Sequence, residues 1–168
     1  MKEHITRTFR WLLVITYIIL LVLGTSQFVA LAASHKILLW AAPILPLFPI
    51  IGLVWLKSRE ELVGLGLFTI WLGSTYASAG TFDELMVFAV VTALALGGVI
   101  LSPWLFVVSW LSHIAWDFMP RELPDLLHDL PIACMIFDGL IALYLVWRIR
   151  FAGKNLPSLI QISRINGE

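Results

Sequence analysis

Long apolar runs, interrupted by short polar breaks, set the pattern of this chain. Hydrocarbon about 30 Å thick takes roughly 20 apolar residues per crossing helix. The first run, residues 11–33, is that long and holds no charge. Its basic flank (Lys2, Arg7, Arg10) and the small residues near its end also suit a secretory signal. A signal core is only about 7–15 residues, so the run reads as an uncleaved first span. The second run, 37–56, carries Pro43, Pro46 and Pro49. Each proline removes a backbone donor and crowds the carbonyl four residues earlier, which predicts a kinked helix packed inside a bundle. The third, 62–80, ends in small residues that permit close helix approach, with Gly73 and Ala77 on one face.

Residues 84–118 form a nearly uncharged stretch that as one helix would be about 50 Å long. Gly97-Gly98 and Ser102-Pro103 lie near its middle, so it reads as a tight hairpin of two short spans, 84–101 and 103–118. The last span, 131–147, is closed by Arg148 and Arg150, and 151–168 is a polar tail at the cytoplasmic interface. The pattern predicts an all-α integral membrane bundle of about six transmembrane helices in one domain over residues 1–168.

Charge supports this count. Hydrophobic residues make up 60% of the chain and charged ones 13%, against roughly 45–50% and about 25% in soluble domains. That deficit excludes a disordered chain and a soluble α/β enzyme. A single cysteine excludes an internal disulfide, and a formal net charge of zero excludes a nucleic-acid partner. With the N-terminus inside, six spans put Lys2, Arg7, Arg10, Lys57, Arg59, Arg148, Arg150, Lys154 and Arg164 in the cytoplasm, and only Lys36 and Arg121 outside. Fusing the hairpin removes this bias, so the positive-inside rule favours six spans with both termini cytoplasmic.

Ionisable groups within spans are costly and point to function. Here they gather near one end of the last two spans. Ser109, His113 and Asp117 are spaced i, i+4, i+8 and share a helix face, and Cys134 and Asp138 share a face of the next helix. Three readings compete for this outward-facing cluster. In one, His113, Asp117, His128 and Asp138 hold a divalent metal such as Zn²⁺, whose bound water hydrolyses a lipid-like substrate. In another, the same groups relay protons or bind a transported ion, in a homo-oligomer or with a membrane partner subunit, since six short spans hold few deep carboxylates. In the third, His113 donates to Asp117 or Asp138 and ties two helices of a structural or assembly subunit. A Ser-His-Asp triad is excluded because three side chains on one straight helix run parallel rather than converge.

Ser109-x-x-x-His113 followed by an intramembrane Asp resembles, over these few positions, the membrane hydrolases that include alkaline ceramidases and adiponectin receptors. Their further His-x-x-x-His pair is absent. A longer stretch, His113-x-x-Trp116-Asp117 followed by His128 and Pro131-x-x-Cys134-x-x-x-Asp138, resembles a motif of small bacterial polytopic integral membrane proteins with no assigned activity. That resemblance covers roughly the last third of the chain and implies membrane insertion and a shared site. Those proteins often carry a second His closer behind the Asp, where this chain has Phe118-Met119-Pro120. Trp104, Trp110, Trp116 and Trp147 lie near span ends or along spans, and interfacial anchoring accounts for the terminal ones.

Overall fold

The computed structural model describes residues 2–77, 81–119 and 123–151, with Ser158 and Ile160; side chains are described from Thr8 onward, Tyr76 and Ala77 excepted. The rest of the expected tail, the small residues 78–80, and residues 120–122 of the loop before α7 lie outside the described residues. Among those described, every regular element is helical.

Helix α1 (Lys2–Ser34) has 33 residues and is about 50 Å long. It closes with Ile37 N–H donating to Ala32 C=O at 2.9 Å and Lys36 N–H to Ala33 C=O at 2.9 Å. Lys36 takes φ 54° to do so, the left-handed turn that ends many helices and is more often made by glycine.

The second apolar run does not form one kinked helix. It breaks into α2 (Leu38–Ala41) and α3 (Leu47–Val54), joined by a turn over 42–46. The prolines account for this: Pro43 sits in the turn, Pro46 caps α3, and Pro49 falls in its first turn, where no intrahelical donor is needed. The Leu45 carbonyl, to which Pro49 has no N–H to offer, accepts from Phe48 N–H at 3.2 Å. Tyr17 of α1 donates its hydroxyl to the Phe48 carbonyl at 2.5 Å. Close approach of α1 to α3 requires Gly52, since a Cβ there would overlap the Tyr17 ring.

Helices α4 (Ser58–Ala77) and α5 (Phe82–Ile100) pack extensively on each other. Thr81 caps α5, its hydroxyl accepting from Glu84 N–H at 3.3 Å. The chain reverses over 101–103 into α6 (Trp104–Asp117), with Leu101 and Ser102 N–H both donating to Gly97 C=O. A Cβ on Gly98 would stand 2.6 Å from Phe106, so this glycine admits the tight α5–α6 approach. A 3₁₀ turn (Asp125–Leu127) precedes α7 (Leu130–Arg150), which packs most closely on α6. Leu53, Leu62, Phe68, Ala95, Phe106, Trp110, Ile141 and Leu145 form the core where α3 to α7 meet.

Among the described residues, three helical segments are long and apolar enough to cross a membrane: Thr8–Ser34, Phe82–Ile100 and Asp125–Arg150. The first turn of α4 carries Arg59, Glu60 and Glu61, and α6, with 14 residues, reaches only about 21 Å. Large apolar side chains cover the outer surface, with Leu12, Leu20, Leu85 and Leu143 all more than half exposed. Helices that are apolar on both sides suit lipid as their outer solvent.

Candidate functional site

The α6–α7 interface positions most of the polar side chains singled out by spacing. Ser109, His113, Asp117 and Asp138 are all buried, each 5% exposed or less. They do not share one role. Ser109 donates its hydroxyl to the Val91 carbonyl at 3.1 Å, across to α5, and is thereby a helix tie. One turn on, His113 is flanked by two tryptophans of its own helix, with ring centroids 5.6 Å away at Trp110, which is stacked, and 5.6 Å at Trp116, which is tilted. Gly73 of α4 lies against the imidazole and the Phe88 ring: a Cβ there would meet His113 Cε1 at an ordinary 3.7 Å but would crowd Phe88 at 3.0 Å.

Asp138 is 1% exposed, and neither carboxyl oxygen has a hydrogen-bond partner among the described residues. Asp117 lies close enough for its charge to bear on Asp138. Thr92 Oγ1 on α5 and Trp110 Nε1 on α6 are likewise buried without a hydrogen-bond partner. Buried polar groups are normally satisfied by protein or water, so each exception calls for an explanation.

Cys134 is half-buried one turn, about 6 Å, toward the start of α7 from Asp138. It lines a cavity of about 440 Å³ bounded by Ser26 and Val29 of α1, Trp71 and Thr75 of α4, and Glu84 of α5. Its walls are mostly apolar, and its size lies in the range of small-molecule sites.

His128 is placed elsewhere. Its side chain is 84% exposed in the loop before α7, with Nδ1 3.8 Å from the Asp129 carboxylate. Among the described residues, no three His, Cys, Asp or Glu side chains come together in a metal-binding arrangement. The four-ligand metal centre expected from His113, Asp117, His128 and Asp138 is therefore corrected: the 3₁₀ turn before α7 holds His128 at the surface, and the three remaining groups do not form a ligand set.

No family model, curated protein or solved structure matches the chain. The site's own geometry carries the functional reading.

Sequence spacing missed a second polar centre at the opposite end of the bundle. Glu61 is fully buried and accepts from Arg148 Nε at 3.0 Å, from an Arg148 terminal nitrogen at 2.6 Å, and from the Tyr144 hydroxyl at 2.8 Å. Beside it, Arg10 of α1 pairs with Glu60. The available signal was positional, since Glu60-Glu61 and Arg148 occupy the same predicted membrane face. Trp110 and Trp116 carried a signal too: they stand at i−3 and i+3 from His113, which places them against its ring rather than in an interfacial belt.

Proposed function

We propose that the chain is a multi-pass protein of the cytoplasmic membrane in which Asp138, Asp117 and His113 form an intramembrane proton-binding site used in proton- or ion-coupled transport. Asp138 carries this reading: a fully buried carboxyl without a hydrogen-bond partner serves no structural tie, and a second carboxyl stands close by. Two carboxyls buried near one another do not both ionise readily, because like charges repel strongly in a dry site. Uptake of a proton on one carboxylate and its release to the outer cavity, past Cys134, is the elementary step.

The proposed topology has six crossings, the second broken into α2 and α3, with both termini in the cytoplasm. Charge at the two ends supports this orientation. Among the described side chains, Arg10, Lys57, Arg59, Arg148 and Arg150 face Glu60 and Glu61 at one end, whereas Lys36 is the Lys/Arg side chain at the end holding Asp83, Glu84, Asp117, Asp125 and Asp129. The lipid bilayer is the constant partner, and a second copy or a membrane partner subunit completes the path toward the cytoplasm.

Reconstitution in liposomes containing a pH-sensitive dye tests the reading. Wild-type protein is expected to dissipate an imposed pH gradient, and Asp138→Asn to abolish the flux while keeping the fold. Flux equal to that of empty liposomes, or flux unchanged in Asp138→Asn, refutes it.

A further inference from the structure

At the basic end of the bundle a second cavity, of about 340 Å³, lies between the α3–α4 connection and the last turns of α7. Val54, Trp55, Leu56, Lys57, Ser58 and Arg148 line it. The acids nearby are already engaged: Glu61 holds Arg148 and Glu60 holds Arg10. Lys57 is exposed and has no carboxylate within ion-pair distance among the described residues. Arg59, in the first turn of α4 beyond the lining, is exposed, and Arg150, two residues past Arg148 on α7, lies 5.3 Å over the Trp104 ring. Positive charge therefore exceeds negative around the cavity, and the group it suits is an anion.

Depth narrows the kind of anion. Trp55 is 84% exposed on the cavity wall and Trp147 is 50% exposed one residue before Arg148. Indoles favour the headgroup level of a bilayer, and lysines at that level attract anionic lipids. Apolar Val54 and Leu56 continue the wall beside Lys57, so a ligand with a charged head and an apolar body meets matching surfaces.

We infer that this cavity binds the phosphate of an anionic phospholipid headgroup, with the Lys57 ammonium as its principal contact and buried Arg148 fixing the wall behind it. The inference needs membrane insertion alone and stands whether or not the Asp138 site moves protons.

Native mass spectrometry of the detergent-purified full chain, given equimolar phosphatidylglycerol and phosphatidylcholine, tests it. Wild type is expected to retain the anionic lipid preferentially. Lys57→Gln is expected to reduce that preference about fivefold, the worth of one lysine near a membrane surface. Lys57→Arg, which keeps the charge, and Lys36→Gln, at the opposite end, are expected to retain it. Equal retention of both lipids by wild type overturns the inference, as does an undiminished preference in Lys57→Gln or an equal loss in Lys36→Gln. Displacement of phosphatidylglycerol by millimolar inorganic phosphate would assign the cavity to free phosphate and overturn the lipid as its occupant.

Discussion

Arg148 and Glu61, 87 residues apart, meet as a buried two-point ion pair, with contacts of 3.0 and 2.6 Å, and so clamp the end of α7 to the start of α4. Removing one partner of such a pair leaves a buried charge uncompensated, whereas replacing both with apolar groups need cost little. Glu61→Gln is expected to destabilise the protein by about 3–5 kcal/mol. The double substitution Glu61→Leu/Arg148→Leu is expected to recover most of that loss. Thermal melting in one detergent across the three proteins checks this; additive losses in the double variant would contradict the pairing.

Asp138 predicts the opposite sign. A buried carboxyl without a hydrogen-bond partner carries a desolvation penalty of about 1–3 kcal/mol with nothing to offset it. Asp138→Leu is therefore expected to raise the melting temperature while removing proton flux, a gain in stability bought with function. A lowered melting temperature would instead mark Asp138 as a structural tie.

Ser109 separates tie from site on the same helix face. Its hydroxyl is committed to the Val91 carbonyl, and a hydrogen bond between membrane helices averages about 0.6 kcal/mol. Ser109→Ala is expected to lose about that much stability and to leave flux at wild-type level. Flux reduced in step with Asp138→Asn would place Ser109 in the relay.

The parts of this fold that were legible in the sequence are those written in local chemistry. Gly97-Gly98 and Ser102-Pro103 mark a reversal because glycine admits a neighbouring helix and proline ends one, and α5 and α6 meet there. Three prolines foretold an irregular second span. How far it would break depended on whether its polar groups found other partners, as the Phe48 carbonyl does in Tyr17, 31 residues away. Helical spacing placed Ser109, His113 and Asp117 on one face, but spacing is silent on what each group meets across the interface. It could not separate Ser109, turned to α5, from Asp138, left without a hydrogen bond. Residue type and its place between the two halves of the motif group His128 with them, but the short 3₁₀ turn holds its side chain at the surface.

Gly98 provides a packing test of the α5–α6 hairpin. A methyl group there would stand 2.6 Å from the Phe106 ring, which is fully buried and has little room to yield. Overpacking of this kind costs about 1–3 kcal/mol, outweighing the roughly 1 kcal/mol by which alanine favours a helix over glycine. Gly98→Ala is expected to lower the melting temperature, and Gly98→Ala/Phe106→Leu to recover part of the loss. A stabilised single variant would mean that α5 and α6 stand further apart.

Topology decides whether Asp138 can exchange protons with the outer side. In six crossings with both termini inside, the connection before α7 and the connection before α4 lie on opposite faces. In a Cys134→Ala background, cysteines introduced at Asp129 and Lys57 are therefore expected to react with a membrane-impermeant maleimide from opposite sides of the bilayer. Lys57 is exposed and the Asp129 side chain is about half exposed, so access at each depends chiefly on the side of the membrane. Three crossings by α1, α5 and α7 alone, the segments that suffice individually by length and hydropathy, would place these two connections differently. The stretch from α2 to α4 would then lie on one face, leaving Lys57 on the side where α1 ends. Running α5 inward from that face would put Asp129, ahead of α7, on the other. Both arrangements thus separate the pair, and the discriminating position is Lys36, at the end of α1. Six crossings place Lys36 with Asp129, whereas three place it with Lys57.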